Sequence, residues 1–419
     1  MGIKTRLTIL SFLQFFIWGS WLISTGDYFY SKLNFPPQDI GLLFMTLGIA
    51  SLLMPALVGI IVDKWVDAEK VLSLCFLMCG ISLMIISFSN DNNFWYMFFA
   101  MLFQAASFMP TISLANSISY QLLEKNGIPT QSTFPKIRTW GTVGFIAAMF
   151  ISDLTHFSIS KNQFYLGAGV SLIMAIYAFF LPKCPPSNLS SNKSIVSRLG
   201  LDAFQLFRQQ RMVLFFIFSL LLGAALQITN QWGMVFMRSF NSEFPDTFVV
   251  NHELIFLSFS QIAEALFILT IPFFLRRFGI KKVMMFSMLA WVLRFGLFGV
   301  GDPGEGFVYL LFSNIVYGMA FDFFNISGSL FIERETPSSI RGSAQGLFMM
   351  MTNGIGAVIG SIGSGWVIKL CTDNNNYTDW TYVWNIFAAY ALVILIFFAL
   401  LFKYKHFPEE EMDALSTRH

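Results

Sequence analysis

Apolar stretches, each about as long as a membrane-spanning helix, recur from one end of this chain to the other. Charged, proline-containing or asparagine-rich turns separate them. A helix needs about 20 mostly apolar residues to cross the hydrocarbon core of a bilayer. The pattern therefore predicts an all-α integral membrane protein with twelve transmembrane helices. Their predicted centres lie near Trp18, Leu53, Cys79, Ala105, Ala147, Leu172, Leu222, Leu266, Trp291, Val316, Ile355 and Val393.

The longest polar interruption runs from Lys183 to Arg211 and divides the twelve stretches into six and six. It predicts an N-terminal six-helix bundle over 1–183, a cytoplasmic linker over 184–210, a C-terminal six-helix bundle over 211–405 and a cytoplasmic tail over 406–419. The linker begins rich in Ser, Asn and Pro. Its second part spaces Ile195, Leu199, Leu201, Phe204 and Phe207 among basic residues, which predicts an amphipathic helix on the inner membrane face. Two six-helix halves joined by an inner linker are typical of the major facilitator superfamily, whose halves rock around a midplane site.

Basic residues are distributed unequally between the two sets of turns. Only Lys32, Lys161, Arg238 and Lys369 fall on one side, and most of the remaining Lys and Arg residues fall on the other. Because cytoplasmic loops carry the excess of basic residues, both termini are predicted to lie in the cytoplasm. This orientation also requires an even number of spans.

The composition agrees with a membrane protein and excludes several other classes. Hydrophobic residues make up 55% of the chain and charged residues 12%, and the mean hydropathy is +0.64. A net charge of +2 argues against a nucleic-acid partner. Cys75 and Cys79 share a helix face without a nearby His or acid, so they predict packing rather than a metal site. The chain lacks HExxH and GxSxG, so no enzyme and no cofactor are predicted. It also lacks GxxxxGK[ST], so ATP-driven transport would need a separate subunit.

Three charged residues, Arg138, Glu264 and Asp322, lie within otherwise apolar stretches. A charge at the bilayer centre costs about 2.5 to 3.5 kcal/mol on insertion scales, so each must face a partner or a water-filled cavity. Helical spacing groups them with other side chains, because residues three, four and seven apart share a face. The predicted stripes are Arg138, Thr142 and Phe145; Gln227 and Asn230; Gln261 and Glu264; and Phe321 and Asp322 with Tyr317 and Asn325 one turn away.

Simpler interpretations stay open for several of these residues. Gln227, Asn230 and Gln261 also fit hydrogen bonds between neighbouring helices, and Arg138 also fits a side chain that reaches the inner boundary. Arg294 is a further charge inside a span, and it is predicted to pair with either Asp322 or Glu264 as a structural bridge. Asp27, near the outer end of the first span, is predicted to lie in water. Gly356, Gly360 and Ser364 lie four residues apart on one face of the eleventh span, which predicts close helix packing.

Several blocks of sequence resemble the nucleoside:proton symporter family, in particular its broad-specificity bacterial members. They are SFLQFFIWGSWL, FMPTISLANSISY, IRTWGTVGF, FIFSLLLGAALQITN, SQIAEALFILTIPFFL, YGMAFDFFNISGS and SAQGLFMMMTNG, in the family's order and nearly from end to end. The resemblance implies uptake of purine and pyrimidine nucleosides, such as uridine, adenosine and cytidine, driven by the proton gradient across the inner membrane. The protein is predicted to be a monomer.

The resemblance also implies roles for individual residues. It assigns nucleoside binding to Arg138, Thr142, Phe145, Gln227, Asn230, Gln261, Glu264 and Phe321. It assigns proton coupling to Asp322, with Glu264 as a second candidate. Two alternatives share the same span count: a proton-coupled symporter of another polyhydroxylated solute, such as an oligosaccharide, and a drug exporter, which is expected to line its cavity with fewer amides.

Overall fold

The computed structural model describes residues 2–186, 201–337, 340–374 and 377–404. Within these ranges the regular elements are helices, apart from one isolated bridge between Thr372 and Thr378. The chain forms two compact units, Met1–Arg198 and Leu199–His419, which we call the N-terminal and C-terminal units. Each is described by itself.

The N-terminal unit is built from long helices joined by short turns. Its α-helices are α1 Ile3–Gly19, α2 Thr25–Asp27, α3 Pro37–Lys64, α4 Ala68–Ser87, α5 Phe94–Lys125, α6 Thr130–Leu154 and α7 Asn162–Phe179. A π-helical segment, Tyr28–Lys32, follows α2. Local signals account for several starts: Pro37 occupies the first turn of α3, where its missing N–H costs nothing, and the Asn93 side chain caps α5 by accepting from the N–H of Tyr96.

Helices α1 and α6 approach each other closely through glycine. A Cβ at Gly144 would collide with the Phe12 carbonyl, and a Cβ at Gly19 would lie 2.5 Å from the Phe145 carbonyl oxygen. Only glycine permits these approaches, because any side chain would push the two backbones apart. The contact fixes the face of α6 that carries Arg138, Thr142 and Phe145 against α1.

Two hydrogen bonds fasten the chain beyond α7 to the start of α4. The N–H of Cys184 donates to Oε2 of Glu69 (2.9 Å), and the N–H of Ala68 donates to the carbonyl of Cys184 (3.0 Å). Glu69 is almost fully buried, so this bond satisfies part of a carboxylate that water cannot reach. We call this arrangement the Cys184 clamp.

The C-terminal unit repeats the use of long helices but interrupts several of them. Its α-helices are α8 Gln210–Ser239, α9 Phe248–Asn251, α10 Glu253–Ile268, α11 Ile271–Val300, α12 Phe307–Ala320, α13 Asp322–Glu335, α14 Arg341–Met349, α15 Ala357–Leu370 and α16 Trp380–Leu401. A π-helical segment, Met350–Gly356, joins α14 to α15. Gly279 has a φ of 75° within α11, so the chain turns sharply there.

The predicted small-residue stripe on the eleventh span packs against α8. A Cβ at Gly356 would lie 2.5 Å from the Leu220 carbonyl oxygen, and one at Gly360 would collide with the backbone of Ala224. One turn further on, the indole N–H of Trp232 donates to Oγ of Ser364 (3.0 Å). The prediction that this stripe serves close helix packing is confirmed.

Nine helical stretches in the described ranges are long and apolar enough to cross a membrane. The protein is therefore a multi-pass, all-helical membrane protein. All twelve predicted span centres lie in helical segments. Three of those segments fall outside the nine: α1 has 17 residues, α10 has 16, and α6 carries Lys136, Arg138 and many polar residues.

The structure contradicts the prediction for Asp27 and describes only part of the predicted amphipathic helix. Asp27 was expected in water, and this is wrong, because its side chain is fully buried and accepts a hydrogen bond from Ser31 (2.7 Å). Of the predicted amphipathic helix, Ile195 and Leu199 lie outside the described residues, as does the tail from 406. The described part, Leu201–Arg208, is a 3₁₀-helix in which Leu206 is buried and Phe204 is exposed.

Candidate functional site

Arg138 lies half-buried on α6 with its guanidinium stacked on an aromatic ring. The guanidinium carbon is 3.9 Å from the centroid of Phe15 on α1. Gly141, one turn beyond Arg138, makes room for this pair, because a Cβ there would lie 2.8 Å from both Nη1 of Arg138 and Cδ2 of Phe15. A cation held over a ring gains about 0.5 to 2 kcal/mol, so the ring stabilises this position of the guanidinium.

A small recess beside Arg138 is lined by polar side chains from α1 and α5. They are Ser11, Gln14, Asn116 and Ser119. Gln14 donates to Oγ1 of Thr111 (3.2 Å), which fixes its amide. None of these four was singled out from the sequence, although Ser11 and Gln14, like Asn116 and Ser119, are three residues apart in apolar helices. That is the spacing by which the other polar stripes were found.

The other two residues of the α6 stripe differ in how much surface they present. Thr142 is half-buried. Phe145 is buried, with 8% of its surface exposed. The ring of Phe145 therefore offers little area within its own unit for stacking on a ligand.

Gln227 and Asn230 lie on α8 and are both half-buried. Neither side chain makes a hydrogen bond to another residue in the parts of the chain that the structure describes. The interpretation that these two amides join neighbouring helices is therefore wrong for the described structure. Each amide keeps its donors and its acceptor for another group.

Gln261 and Glu264 on α10 both face Tyr317 of α12. Gln261, Glu264, Arg294 and Asp322 all act electrostatically on the hydroxyl of Tyr317. Tyr317 itself is 4% exposed. Gln261 and both intramembrane acids therefore act on the same tyrosine.

Asp322 begins α13 directly after a break in the helix. Helix α12 ends at Ala320, and Phe321 separates it from α13. The break releases the Ala320 carbonyl, which accepts a hydrogen bond from Ser287. An acid in the first turn of a helix is favoured by the helix dipole, and broken helices are frequent at transporter sites. Phe321 and Asn325 line a recess together with Trp291.

Arg294 does not form the predicted direct bridge to either acid. Among the residues that the structure describes, no carboxylate lies within 4 Å of its guanidinium. Its Nη1 donates instead to Oδ1 of Asn314 (2.7 Å), and its guanidinium carbon lies 4.0 Å from the centroid of Phe298 and 5.2 Å from that of Tyr317. The sequence could not show this, because every partner is neutral.

Comparison with known proteins finds relatives that match this chain over almost its full length. Residues 1–407 match the model of the family described as "Nucleoside H+ symporter". The chain is 50% identical to the xanthosine permease of Escherichia coli K12 over 98% of both chains. It is 49% identical to the nucleoside permease NupG of the same organism over 97% of both chains.

Solved structures agree. A crystal structure of the nucleoside transporter NupG covers 97% of this chain and 100% of its own, at 49% identity and a TM-score of 0.90. A mutant form of NupG matches at 48% identity, with 96% and 100% coverage and a TM-score of 0.93. A proton-dependent oligopeptide transporter matches at 14% identity and a TM-score of 0.70 over 96% of this chain and 98% of its own, which shows a shared fold.

Proposed function

Since this chain belongs to the nucleoside H+ symporter family and carries nucleosides into the cell together with protons, we propose how its residues divide that work. The match over residues 1–407 carries the function. It is a transporter rather than an enzyme. The proposal concerns the range of substrates, the arrangement in the membrane, the ligand contacts and the path of the proton.

The substrates that we propose are purine and pyrimidine nucleosides such as uridine, adenosine and cytidine. Relatives named for xanthosine and for nucleosides in general are almost equally similar to this chain, so similarity alone does not narrow the range. The amides of Gln227 and Asn230 support broad recognition, because an amide both donates and accepts. A drug exporter would be expected to line its cavity with fewer amides that lack a hydrogen bond to the protein itself.

The membrane arrangement that we propose has twelve spans in two six-helix bundles, over 1–183 and 211–405. Helix α10 and the part of α11 before Gly279 together form one span, and the rest of α11 forms the next. The excess of basic residues in one set of turns supports cytoplasmic termini in a bacterial inner membrane. The linker over 184–210 and the tail over 406–419 are then cytoplasmic, and the protein works as a monomer by alternating access.

The ligand contacts that we propose follow the polar stripes. The ribose hydroxyls and the polar edge of the base are bound by the polar residues of those stripes, which are Arg138, Thr142, Gln227, Asn230, Gln261 and Glu264. Phe321 stacks on the base, a contact that contributes about 1 to 3 kcal/mol in other base-binding proteins. Phe145 is retained as a second stacking candidate, although it is largely buried.

The proton is assigned to the acids around Tyr317, with Asp322 as the main carrier and Glu264 as the second candidate. Both acids act electrostatically on Tyr317, and like charges that approach each other inside a protein disfavour each other, so the pair is proposed to hold one proton. Binding that proton removes a buried charge, which makes closure around the nucleoside less costly. Release of the proton on the other side then favours release of the nucleoside.

Uptake into proteoliposomes tests this function. A pH jump, acidic outside, is applied to vesicles with purified protein, and labelled uridine is followed with and without excess adenosine, cytidine, xanthosine, uracil, ribose or lactose. The nucleosides are expected to compete, and the free base and the sugars are not. Competition by lactose would favour the oligosaccharide symporter, and uptake that is independent of the pH jump would contradict proton coupling.

A further inference from the structure

The polar recess beside Arg138 contains a buried hydroxyl without a partner. Ser11 of α1 is 8% exposed, and its Oγ makes no hydrogen bond in the part of the chain that the structure describes. Asn116 of α5 is half-buried on the same recess, and its amide makes no hydrogen bond to a described residue either. Buried polar groups are nearly always hydrogen-bonded, because an unsatisfied one costs free energy. These two side chains therefore indicate a site for a polar group of a ligand.

The hydroxyl of Ser11 lies next to the guanidinium of Arg138. A Cβ added at Gly141 of α6 would lie 3.0 Å from Oγ of Ser11 and 2.8 Å from Nη1 of Arg138. The two polar atoms therefore border the same small space, which exists because Gly141 has no side chain. A ligand group that reaches the guanidinium from the recess also comes close to Ser11.

The walls of the recess are held in place by contacts between helices. Nε2 of Gln14 donates to Oγ1 of Thr111 (3.2 Å), which joins α1 to α5, and Thr111 donates to the Phe108 carbonyl (2.6 Å). On the other side, the close approach at Gly144 holds α1 against α6. Because the polar atoms are already positioned, little ordering is needed when a ligand binds.

The size and the polar atoms of the recess fit a single hydroxyl group. Its volume is about 10 Å³, close to the least that can hold one water molecule. A guanidinium only donates hydrogen bonds, whereas the side chains of Ser11 and Asn116 both donate and accept. A hydroxyl suits this set because it also does both. A base carbonyl only accepts, and the planar edge of a base is broader than a water molecule.

We propose that this recess binds one hydroxyl of the nucleoside sugar, and that Ser11 and Asn116 determine specificity for that hydroxyl. The inference rests on the proposed function, in which Arg138 contacts the nucleoside. A nucleoside that lacks this hydroxyl leaves Ser11 and Asn116 unpaired beside Arg138. It therefore binds more weakly than one that has it, because buried polar groups of the site then stay unsatisfied.

The experiment compares uridine with 2′-deoxyuridine, 3′-deoxyuridine and 5′-deoxyuridine, each of which lacks a different sugar hydroxyl. Inhibition of labelled uridine uptake into proteoliposomes gives the apparent affinity of each analogue relative to unlabelled uridine. In the wild type, the analogue without the bound hydroxyl should be weaker than uridine. In Ser11→Ala this ratio should shrink about 2- to 12-fold, because uridine loses a hydrogen bond that the analogue never made. The other two ratios should stay as in the wild type.

A second variant and a matched control accompany Ser11→Ala. Asn116→Ala should shrink the ratio for the same analogue, and it covers the case in which Ser11→Ala does not fold. Ser107→Ala is the control, because Ser107 is also buried and its hydroxyl donates to the Phe103 carbonyl within α5 (2.8 Å), away from the recess. Its three ratios should equal those of the wild type.

Two outcomes would overturn the inference. One is that Ser11→Ala and Asn116→Ala leave all three ratios unchanged and uridine affinity intact. The other is that they weaken uridine and the three analogues equally, which would mean that the recess holds a structural water molecule. Failure of the proposed function looks different, since Arg138→Gln would then bind uridine as tightly as the wild type, or a pH jump would drive no uridine uptake.

Discussion

The guanidinium of Arg138 lies 3.9 Å from the ring centroid of Phe15, in space that the absent side chain of Gly141 leaves open. The two residues come from α1 and α6, whose close contact is itself set by Gly144 and Gly19. The orientation of a proposed ligand-binding charge therefore depends on residues that do not bind the ligand. Substitution of Gly141 and of Phe15 tests this dependence.

Gly141→Ala should weaken uridine binding. Its Cβ would lie 2.8 Å from both Nη1 of Arg138 and Cδ2 of Phe15, so the stack must shift. The apparent KM for uridine uptake is expected to rise about tenfold, which corresponds to about 1.4 kcal/mol. Gly169→Ala is the matched control, because nothing lies within 4 Å of a Cβ at that helical position. An unchanged KM in Gly141→Ala would contradict the role of the stack.

Phe15→Leu should lower the affinity for uridine while keeping the apolar contact with α6. Loss of the cation–π interaction, worth about 0.5 to 2 kcal/mol, is expected to weaken binding about 2- to 30-fold if Arg138 needs the ring for its orientation. Binding is measured by uridine-dependent thermal stabilisation of the purified protein. In an Arg138→Gln background, Phe15→Leu should have little further effect, and additive losses would argue against a shared role.

Gln227→Ala and Asn230→Ala should each affect binding but not folding. Neither amide makes a hydrogen bond to a described residue, so no internal bond is lost. Uridine affinity is expected to fall about 2- to 12-fold, the range for one net hydrogen bond of about 0.5 to 1.5 kcal/mol.

Asn314→Ala provides the contrast, because Asn314 binds Arg294 and Ser260 in the buried interior. It should lower the free energy of unfolding by about 1.5 to 3 kcal/mol. The midpoint temperature of unfolding, measured without ligand, should be lower in Asn314→Ala than in Gln227→Ala or Asn230→Ala. A large loss of stability in Gln227→Ala would contradict the ligand-facing role of that amide.

Asp322→Asn should separate accumulation from exchange. The asparagine side chain cannot ionise, so a pH gradient should no longer drive uridine accumulation, and the uridine concentration inside should only become equal to that outside. Exchange of labelled for unlabelled uridine should persist. Glu264→Gln should reduce exchange as well, since Glu264 is also proposed to contact the ligand. Glu305→Gln, an exposed acid in a turn of the same unit, is the control. Full accumulation by Asp322→Asn would assign the proton elsewhere.

The thiol of Cys184 should react slowly with maleimide at neutral pH. Burial, assisted by the negative charge of Glu69, raises its pKa to about 11. At pH 8 roughly one thiol in a thousand is then ionised, and the labelling rate should rise about tenfold per pH unit up to about pH 11. Glu69→Gln removes the charge and weakens the clamp, so labelling should be faster. Peptide-resolved mass spectrometry measures this, and equal rates at pH 7.5 and 9 would contradict it.

The sequence predicted the helices well, because length and hydropathy encode burial in a bilayer directly. It also predicted the close packing at Gly356 and Gly360. It did not predict the break at Phe321, since neither Gly nor Pro marks it and the released Ala320 carbonyl is satisfied by Ser287, a residue distant in sequence. Asp27 was placed in water because its position suggested the outer boundary, but its surroundings in the fold bury it.

In the candidate site, too, some residues could be predicted from the sequence and others could not. Single charges inside apolar helices stand out, so Arg138, Glu264 and Asp322 could be selected from the sequence. The neutral groups that contact the buried cations could not, because Phe15 beside Arg138 and Asn314 beside Arg294 look like ordinary residues of a membrane helix. Gln227, Asn230 and Gln261 had one predicted alternative in common, and of the three only Gln261 acts on a residue of a neighbouring helix, Tyr317.

The Cys184 clamp also has a mechanical meaning. The chain that leaves α7 is attached through Cys184 to Ala68 and Glu69 before it continues toward the linker. A pull on the linker is therefore borne by the first turn of α4 and does not unwind the end of α7. A force applied along the chain beyond Cys184 would therefore reach the N-terminal unit at α4 first.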